Sequence, residues 1–362
     1  MYTIICISTA VVLCYTALII CLFGGFRKIT KRQPANAAAV PVSVVLPFRN
    51  EERSIVSTIK TLLAQKSDAD FEIVAVDDHS TDNSWQLLND MADSEPRLRL
   101  LRANGNGKKN ALAEGMAAAR FGCIATADAD CRYPERWLAA MTSEFAGGGC
   151  TLLCAPVKIS GMRGWFSRFQ FVDFASLVGS GIGAAGCGRP IMCNGANMMF
   201  DKDAVMQMDD PFNAAVRSGD DVFLLHAVKR LDKQKIRFTC LPETIVETDA
   251  APTFAAFLRQ RMRWGGKTTS YTDTDSIVVA AIVAATAVCA VASLLLLPWS
   301  WIPAAVVLLP KTIIDTIMLY AVCKVFGNRR LLRQMPMYEI VVAAYTVLVI
   351  VETAIGINKK WK

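Results

Sequence analysis

Long stretches without charge near both ends of the chain constrain its fold more than any other feature. Residues 2–26 carry no charged side chain, and as a helix they can cross the ~30 Å hydrocarbon core of a bilayer. Residues 277–310 are also uncharged, but Pro298 and Pro303 interrupt them, which predicts a tight helical hairpin. Hydrophobic residues make up 53% of the chain. These features together predict an integral membrane protein.

The charges beside the first apolar segment predict its orientation. Basic residues follow the segment, at 27–32, whereas a cleaved signal peptide carries its basic residues in front of the apolar stretch. We therefore predict a retained anchor. Because positive charge favours the cytoplasmic side, we expect the N-terminus outside and the following domain in the cytoplasm, as in a protein of the bacterial inner membrane.

The charge distribution indicates which kind of molecule the chain binds, and the cysteine content indicates the redox state of its thiols. The formal net charge is +7, and its basic residues cluster at 27–32, 324–333 and 359–362, which favours anionic lipid over nucleic acid. The sequence has twelve cysteines, several of them in apolar runs, and no CxxC pair at the spacing of a zinc site. We expect these cysteines to be reduced thiols.

The middle of the chain alternates short β-rich runs with helical patterns. The runs at 42–47, 71–76, 98–102 and 123–127 predict strands, and residues 51–65 and 109–120 predict helices. This alternation is typical of an α/β domain with a mostly parallel, Rossmann-like sheet. Ligands of such sheets bind beyond the carboxyl ends of the strands, where two acidic clusters of this chain fall.

The predicted organisation has six segments. They are an anchor (1–27), a linker (28–41), a catalytic domain (42–250), an interfacial helix (251–272), a transmembrane hairpin (273–326) and a third C-terminal membrane segment (336–357). Lys311 and Asp315 lie four residues apart and are expected to pair inside the hairpin. Glu339 and Glu352 leave open whether the last segment spans the membrane or lies at its interface, and therefore whether the chain has three or four spans.

The first acidic motif is Asp128-Ala129-Asp130. The two carboxylates are two residues apart at a strand end, so both can point to the same side. Mg²⁺ and Mn²⁺ take oxygen ligands, commonly one or two carboxylates with phosphate and water. The motif predicts a metal site for a nucleotide diphosphate, and an ordinary acidic turn is the alternative.

Two further features suit a nucleotide. Asp77 and Asp78 follow a predicted strand and can accept hydrogen bonds from a base or ribose, while Ser80 or Thr81 can cap the next helix. Lys108 precedes an Ala-rich helix, where a positive charge opposes the helix dipole. Lys108 is either a phosphate ligand or a solvated loop lysine.

Asp220 and Asp221 begin an amphipathic helical pattern. Acidic residues suit a helix N-terminus, so capping is one interpretation. The other makes Asp221 the general base that takes a proton from an acceptor hydroxyl. The chain has two histidines, which favours a carboxylate as the base.

Gln260, Arg263 and Trp264 follow one another at i, i+3 and i+4, which places them on one face of a helix. Arg263 can stabilise a departing diphosphate, and Trp264 can stack on a sugar ring. A basic-aromatic helix at the membrane interface is the alternative.

Six motifs in this order resemble the membrane-bound branch of the family 2 glycosyltransferases, which includes cellulose synthase, hyaluronan synthase and ceramide glucosyltransferase. The motifs are Val44–Glu52, Asp77–Asp82, Asp128–Asp130, Cys193–Asn197, Asp220–Asp221 and Gln260–Trp264. The resemblance covers residues 42–266 and implies a GT-A fold. It further implies inverting transfer from a nucleoside-diphosphate sugar, usually a UDP-sugar, with metal at Asp130 and Asp128. Asp221 would be the base, and Asn194 and Asn197 would line the acceptor side. Asp220 departs from the family's usual Glu.

The acceptor is predicted from the number of membrane segments. Three or four spans are few for a channel that encloses a growing polysaccharide, so we expect one sugar to be added to a membrane lipid. A processive polysaccharide synthase is the alternative. A nucleotidyltransferase and a silent membrane scaffold are remoter alternatives. The first has no need for the Gln260–Trp264 motif on a helix that leads into the membrane, and the second should have lost some of Asp130, Asp221 and Arg263, which are all present.

Overall fold

The computed structural model describes residues 2–216 and 218–355, which form two compact units. The helical unit comprises the described parts of Met1–Lys28, Gly161–Ile191 and Ala250–Lys362. The sheet unit comprises Ile29–Ser160 and the described parts of Met192–Asp249. Each unit is therefore assembled from segments that are distant in the sequence.

The strands and helices have the following bounds. The strands are β1 Val42–Phe48, β2 Phe71–Asp77, β3 Leu98–Arg102, β4 Cys123–Thr126, β5 Cys131–Arg132, β6 Leu152–Cys154, β7 Val157–Ser160, β8 Met198–Asp201, β9 Ile236–Phe238 and β10 Val246–Asp249. The helices are α1 Tyr2–Thr30, α2 Ile55–Leu63, α3 Ser84–Ala92, α4 Lys108–Ala118, α5 Trp137–Ala146, α6 Gly164–Gly186, α7 Lys202–Met206, α8 Asp220–Asp232, α9 Phe254–Gly266, α10 Thr274–Leu295, α11 Ile302–Phe326 and α12 Met335–Ile355. Four short 3₁₀ helices lie at Lys233–Lys235, Pro242–Thr244, Lys267–Ser270 and Arg329–Gln334.

The sheet unit is built on a seven-stranded sheet in the order β3-β2-β1-β4-β8-β6-β9. Strands β3, β2, β1 and β4 are parallel, and β8 runs antiparallel to both of its neighbours. A second sheet has the order β5-β10-β7. The predicted mostly parallel α/β sheet is confirmed, and its first four strands end within one residue of the predicted positions.

Helix α4 lies close against the sheet and thereby brings its first residue to the strand ends. Gly115 faces β1 and β2, where a Cβ atom would lie 2.5 Å from Val45 Cγ1 and 2.9 Å from Val76 Cγ2. Glycine allows this close approach because it has no side chain.

The predicted helix 51–65 is shorter in the structure. It begins at Ile55 because residues 52–54 form a turn, in which the Ser54 hydroxyl donates to Glu51 Oε2 at 2.9 Å.

The helical unit contains the apolar segments. Three of its described helices, α1, α10 and α11, are long and apolar enough to cross a membrane. The predicted pair forms, since Lys311 Nζ donates to Asp315 Oδ2 at 2.7 Å, and Lys311 also binds the Glu339 carboxylate on α12. Tyr15 of α1 donates its hydroxyl to Asp315 Oδ1 at 2.7 Å. These buried polar contacts join α1, α11 and α12.

The predicted third C-terminal segment is one helix, α12, over its described part. Residues 356–357 of that segment lie outside the described residues, and a spanning or interfacial placement of α12 stays a prediction.

One boundary differs from the sequence-based organisation. Residues 161–191 interrupt the expected 42–250 domain because α6 packs within the helical unit, where its Gly186 meets the Gly25 backbone of α1 so closely that a Cβ would clash.

Candidate active site

Asp77 and Asp78 shape the loops at the carboxyl end of β2. Both are buried, at 4% and 5% exposure. Asp77 Oδ1 accepts a hydrogen bond from the Ser80 backbone N–H at 3.0 Å, and Asp78 Oδ1 accepts one from Gly107 at 2.7 Å. The two predicted nucleotide-binding carboxylates thus fix the backbone of two loops beside the sheet edge, and this use does not occupy all of their oxygens.

Lys108 gathers carboxylates from separate parts of the sequence. Its Nζ lies 2.6 Å from Asp128 Oδ1 and 3.7 Å from Asp220 Oδ2. Burial opposes the lysine charge, but the negative charges of Asp128 and Asp220 outweigh it, so the pKa of Lys108 is raised well above its usual range. Lys108 is therefore a positively charged residue among the carboxylates of an acidic cluster.

Asp221 is oriented by backbone groups. Its Oδ2 accepts from the Gly195 N–H at 3.2 Å, and its Oδ1 accepts from the Val222 N–H at 2.8 Å. Gly195 allows this loop to come close to α8, because a Cβ at this position would lie 3.2 Å from Asp220 Oδ2. The loop of the Cys193–Asn197 motif and the first turn of α8 therefore form one constellation.

Asp130 lies beside Asp128 at the outer side of this cluster. Although the residue is exposed, the surrounding protein desolvates its carboxyl group, and this desolvation and the charge of Asp128 together raise the pKa of Asp130. Two neighbouring carboxylates suit a divalent cation, which would neutralise both. In the described part of the chain, no group of three or more His, Cys, Asp or Glu side chains is arranged to hold a metal. Asp128 and Asp130 offer carboxylate oxygens, the ligand type of Mg²⁺ and Mn²⁺, which commonly bind one or two carboxylates together with phosphate and water.

The two residues predicted to line the acceptor side, Asn194 and Asn197, differ in their exposure. Asn197 is fully buried, and its Nδ2 donates to the carbonyl oxygens of Pro156 and Thr244, both at 2.8 Å. Its Oδ1 accepts from Trp137 Nε1 at 2.9 Å. Because its amide bonds three internal partners, Asn197 connects the segments that contain Trp137, Pro156 and Thr244. Asn194 is partly exposed and caps its own loop, where its Oδ1 accepts from the Ala196 N–H at 3.0 Å.

Two neighbours of the cluster were not singled out from the sequence. The hydroxyl of Tyr133 donates to the Ala196 carbonyl and accepts from the Asp128 N–H, both at 3.0 Å, so it links the metal motif to the Cys193–Asn197 loop. Burial raises the pKa of Glu51, a hydrogen bond from Ser54 opposes this, and the charge of Asp130 adds to the increase. The position of Glu51 three residues after β1 was the sequence signal that could have identified it.

The Gln260–Trp264 motif lies on α9 in the helical unit. Arg263 is exposed, and the Trp264 ring lies 5.8 Å from that of Phe174. Gln260 Oε1 accepts from Arg261 Nη1 at 2.7 Å. Trp264 is therefore held partly by packing within its own unit, and Gln260 is engaged by its neighbour.

Arg261, inside the same motif, was missed by sequence reasoning. It is 5% exposed and makes a buried ion pair with Asp173 of α6, to which its Nε donates at 2.8 Å. The Tyr345 hydroxyl of α12 donates to the other oxygen of Asp173. The Arg261 guanidinium also lies 4.4 Å from the ring centre of Trp264. This contact fixes the plane of the Trp264 ring.

Comparison with known proteins agrees with these observations. The family model described as "Glycosyl transferase family 2" matches residues 43–215. The uncharacterized glycosyltransferase EpsJ of Bacillus subtilis (strain 168) is 31% identical over 247 residues, which cover 61% of this chain and 67% of that protein. Undecaprenyl-phosphate 4-deoxy-4-formamido-L-arabinose transferase of Enterobacter sp. (strain 638) is 31% identical over 155 residues, 40% of this chain. The chain spans less than half of that relative, 46% of its length.

A solved structure shows the same fold. Mannosyltransferase PcManGT from Pyrobaculum calidifontis, in complex with GDP-Man and Mn²⁺, aligns over 98% of this chain and 100% of that one, with a TM-score of 0.58. The sequence identity of the pair is 14%, so the likeness concerns the fold.

Proposed function

This chain belongs to glycosyl transferase family 2 and has the GT-A fold, and from that premise we propose that it is an inverting, metal-dependent enzyme. It transfers a single sugar from a nucleoside-diphosphate sugar, with a UDP-sugar as the first candidate, to a membrane lipid. The enzyme acts at the cytoplasmic face of a bacterial inner membrane.

The observation that carries this proposal is the meeting of three sequence motifs at one cluster. Asp128, Gly195 and the Asp220–Asp221 pair belong to three motifs that are distant in the sequence. Lys108 contacts Asp128 and Asp220, and the Gly195 N–H donates to Asp221, so the three motifs meet at the ends of the strands. A clustered set of carboxylates around one cation suits a substrate that carries a diphosphate and a hydroxyl nucleophile. A scaffold protein has no need for this arrangement.

Asp221 acts as the general base. The Gly195 and Val222 N–H groups hold both of its oxygens, and this fixes the direction from which the carboxylate takes the acceptor proton. The acceptor oxygen then forms a bond to the anomeric carbon while the bond from that carbon to the diphosphate oxygen breaks. The electron pair leaves with the diphosphate, and the anomeric configuration inverts.

The other predicted residues bind and orient the donor and acceptor. Asp77, Asp78 and Lys108 serve the nucleotide and its phosphates, and Asp128 and Asp130 would hold Mg²⁺ or Mn²⁺. Such an ion supplies positive charge that stabilises the diphosphate as it leaves. The following residues act on the leaving group and acceptor: Arg263 on the diphosphate, and Gln260, Trp264 and Asn194 on the acceptor.

A transfer assay on membranes that contain the full chain tests this proposal. UDP- and GDP-sugars with a radiolabel are supplied with Mn²⁺, and label is followed into the lipid extract and into polymer. We expect label in the lipid extract, lost in Asp221→Asn and Asp130→Asn and kept in Asp68→Asn, an exposed carboxylate on a loop. Label in long polymer would instead identify a processive synthase.

A second step identifies the oxygen that receives the sugar. Mild acid releases a sugar bound to a phosphate and leaves a glycoside of a hydroxyl intact. Because Asp221 is held as a base, we expect acid-stable label. Label released by mild acid would show a phosphate acceptor, which is already ionised and needs no base.

A further inference from the structure

We propose that Lys108 controls metal binding, because it competes with the divalent cation for Asp128 until a nucleoside diphosphate draws it away. This inference rests on the proposed function and adds an order to it. The metal binds weakly to the enzyme alone and tightly together with the nucleotide.

The first step of the argument is the position of the ammonium group. Lys108 Nζ binds Asp128 Oδ1 at 2.6 Å, and Asp128 is one of the two carboxylates of the metal motif. Lys108 is also the first residue of α4, where the helix dipole disfavours a positive charge. The carboxylates therefore hold the ammonium group where the helix alone would not.

The second step is that the backbone at Lys108 is anchored while its side chain is partly exposed. The Gly107 N–H is bound by Asp78 at 2.7 Å, which anchors the backbone just before Lys108. The Lys108 side chain is 40% exposed, so a ligand can reach it. Lys109 cannot take its place, because its Nζ is engaged by three carbonyl oxygens of the segment from Phe212 to Val216.

The third step is electrostatic. An ammonium group and a divalent cation on the same carboxylate repel each other, and the repulsion is substantial in the low dielectric of a protein cluster. A diphosphate removes this conflict, since its oxygens bind both the lysine and the metal. Because binding effects are reciprocal, metal and nucleotide each strengthen the binding of the other.

Direct measurement of Mn²⁺ binding to the purified full chain in detergent, by electron paramagnetic resonance, tests the inference without any transfer reaction. Lys108→Met is expected to bind Mn²⁺ alone roughly tenfold more tightly than the wild type, or more. Lys66→Met is the matched control. It removes the same charge at an exposed lysine whose partner is Glu135, and we expect wild-type Mn²⁺ affinity.

The second part of the experiment measures Mn²⁺ binding with a nucleotide present. UDP or GDP should tighten Mn²⁺ binding by the wild type and by Lys108→Arg, which keeps the charge, and should tighten it less in Lys108→Met. Equal Mn²⁺ affinity of the wild type and Lys108→Met would overturn the inference. Asp130→Asn separates this failure from a failure of the proposed metal site. If Asp130→Asn binds Mn²⁺ as the wild type does with nucleotide present, the site itself is misassigned.

Discussion

At the scale of single residues, Asp221 is the side chain on which the proposed reaction depends most. Its two oxygens are oriented by backbone N–H groups, which hold it regardless of side-chain motion nearby. The Asp221→Asn variant keeps the shape and loses the base. We expect kcat to fall by about 10²–10⁴-fold, while nucleotide binding measured by calorimetry stays within a factor of two or so. A fall in nucleotide affinity with unchanged kcat would assign Asp221 to donor binding.

The residues of the site differ in how well the sequence predicts them. Asp128 and Lys108 were predicted because each stands at the end of a regular element, where side chains meet at a sheet edge. Tyr133 and Asn197 could not be placed from the sequence. Their roles depend on partners, such as Ala196 and Trp137, whose proximity is created by the tertiary fold.

At the scale of elements, the ion pair of Arg261 and Asp173 ties α9 to α6. Arg261→Met leaves the buried Asp173 carboxylate without its cationic partner, although the Tyr345 hydroxyl still donates to it, and loss of the cation costs about 3–5 kcal/mol. The double variant Arg261→Met with Asp173→Leu removes both charges, and we expect it to recover most of the lost stability. Thermal unfolding in detergent measures both. Equal destabilisation in the single and double variants would show that the charge pair is not what holds the helices.

Glu72 plays a similar part in the sheet unit. It is 2% exposed and accepts hydrogen bonds from the Arg120 N–H at 2.6 Å, Ser43 at 2.7 Å and Arg99 at 2.9 Å. Burial acts to raise the pKa of Glu72, but these hydrogen bonds together outweigh it and the pKa is lowered.

A lowered pKa in the folded state stabilises the protein above the unfolded value of about 4.3, and the contribution is lost as the pH falls through the folded value. Glu72→Gln should therefore lower Tm at pH 7, by an amount that corresponds to roughly 2 kcal/mol, and flatten the decline of Tm in acid. Thermal unfolding from pH 7 to pH 3 checks this. If Tm of Glu72→Gln declines with falling pH as steeply as Tm of the wild type, Glu72 does not contribute to the acid sensitivity of the fold.

The strands and helices that the sequence predicted are those with a strong local pattern of apolar and polar residues. Strands β1 to β4 were predicted because each is a short, largely apolar run that alternates along the chain with longer helical patterns. Strand β8 was not, since the short Met-rich segment Met198–Asp201 has no alternation and enters the sheet antiparallel between β4 and β6. Helix α6 was not predicted, and residues 161–191 were included in the 42–250 domain, because the segments that pack with α6 in the helical unit are distant in the sequence.

At the scale of the whole molecule, the basic residues at 27–32, at the end of α1, predict the orientation in the membrane. If the N-terminus is outside, the turn between α10 and α11 is outside as well, with its exposed Trp299 and Trp301 at the interface. Alkaline phosphatase fused after Ser300 should be active in a bacterial host, and a fluorescent protein fused after Gly327 should fluoresce. The reverse pattern would place the sheet unit outside the cytoplasm.

The central claim is a single displacement at the anomeric carbon, with Asp221 as the base. The most direct test is the anomeric configuration of the product, measured by NMR on glycolipid made by the purified full chain from one donor of known configuration. We predict a product of opposite configuration, formed by the wild type and absent with Asp221→Asn. A product that retains the donor configuration would contradict the account.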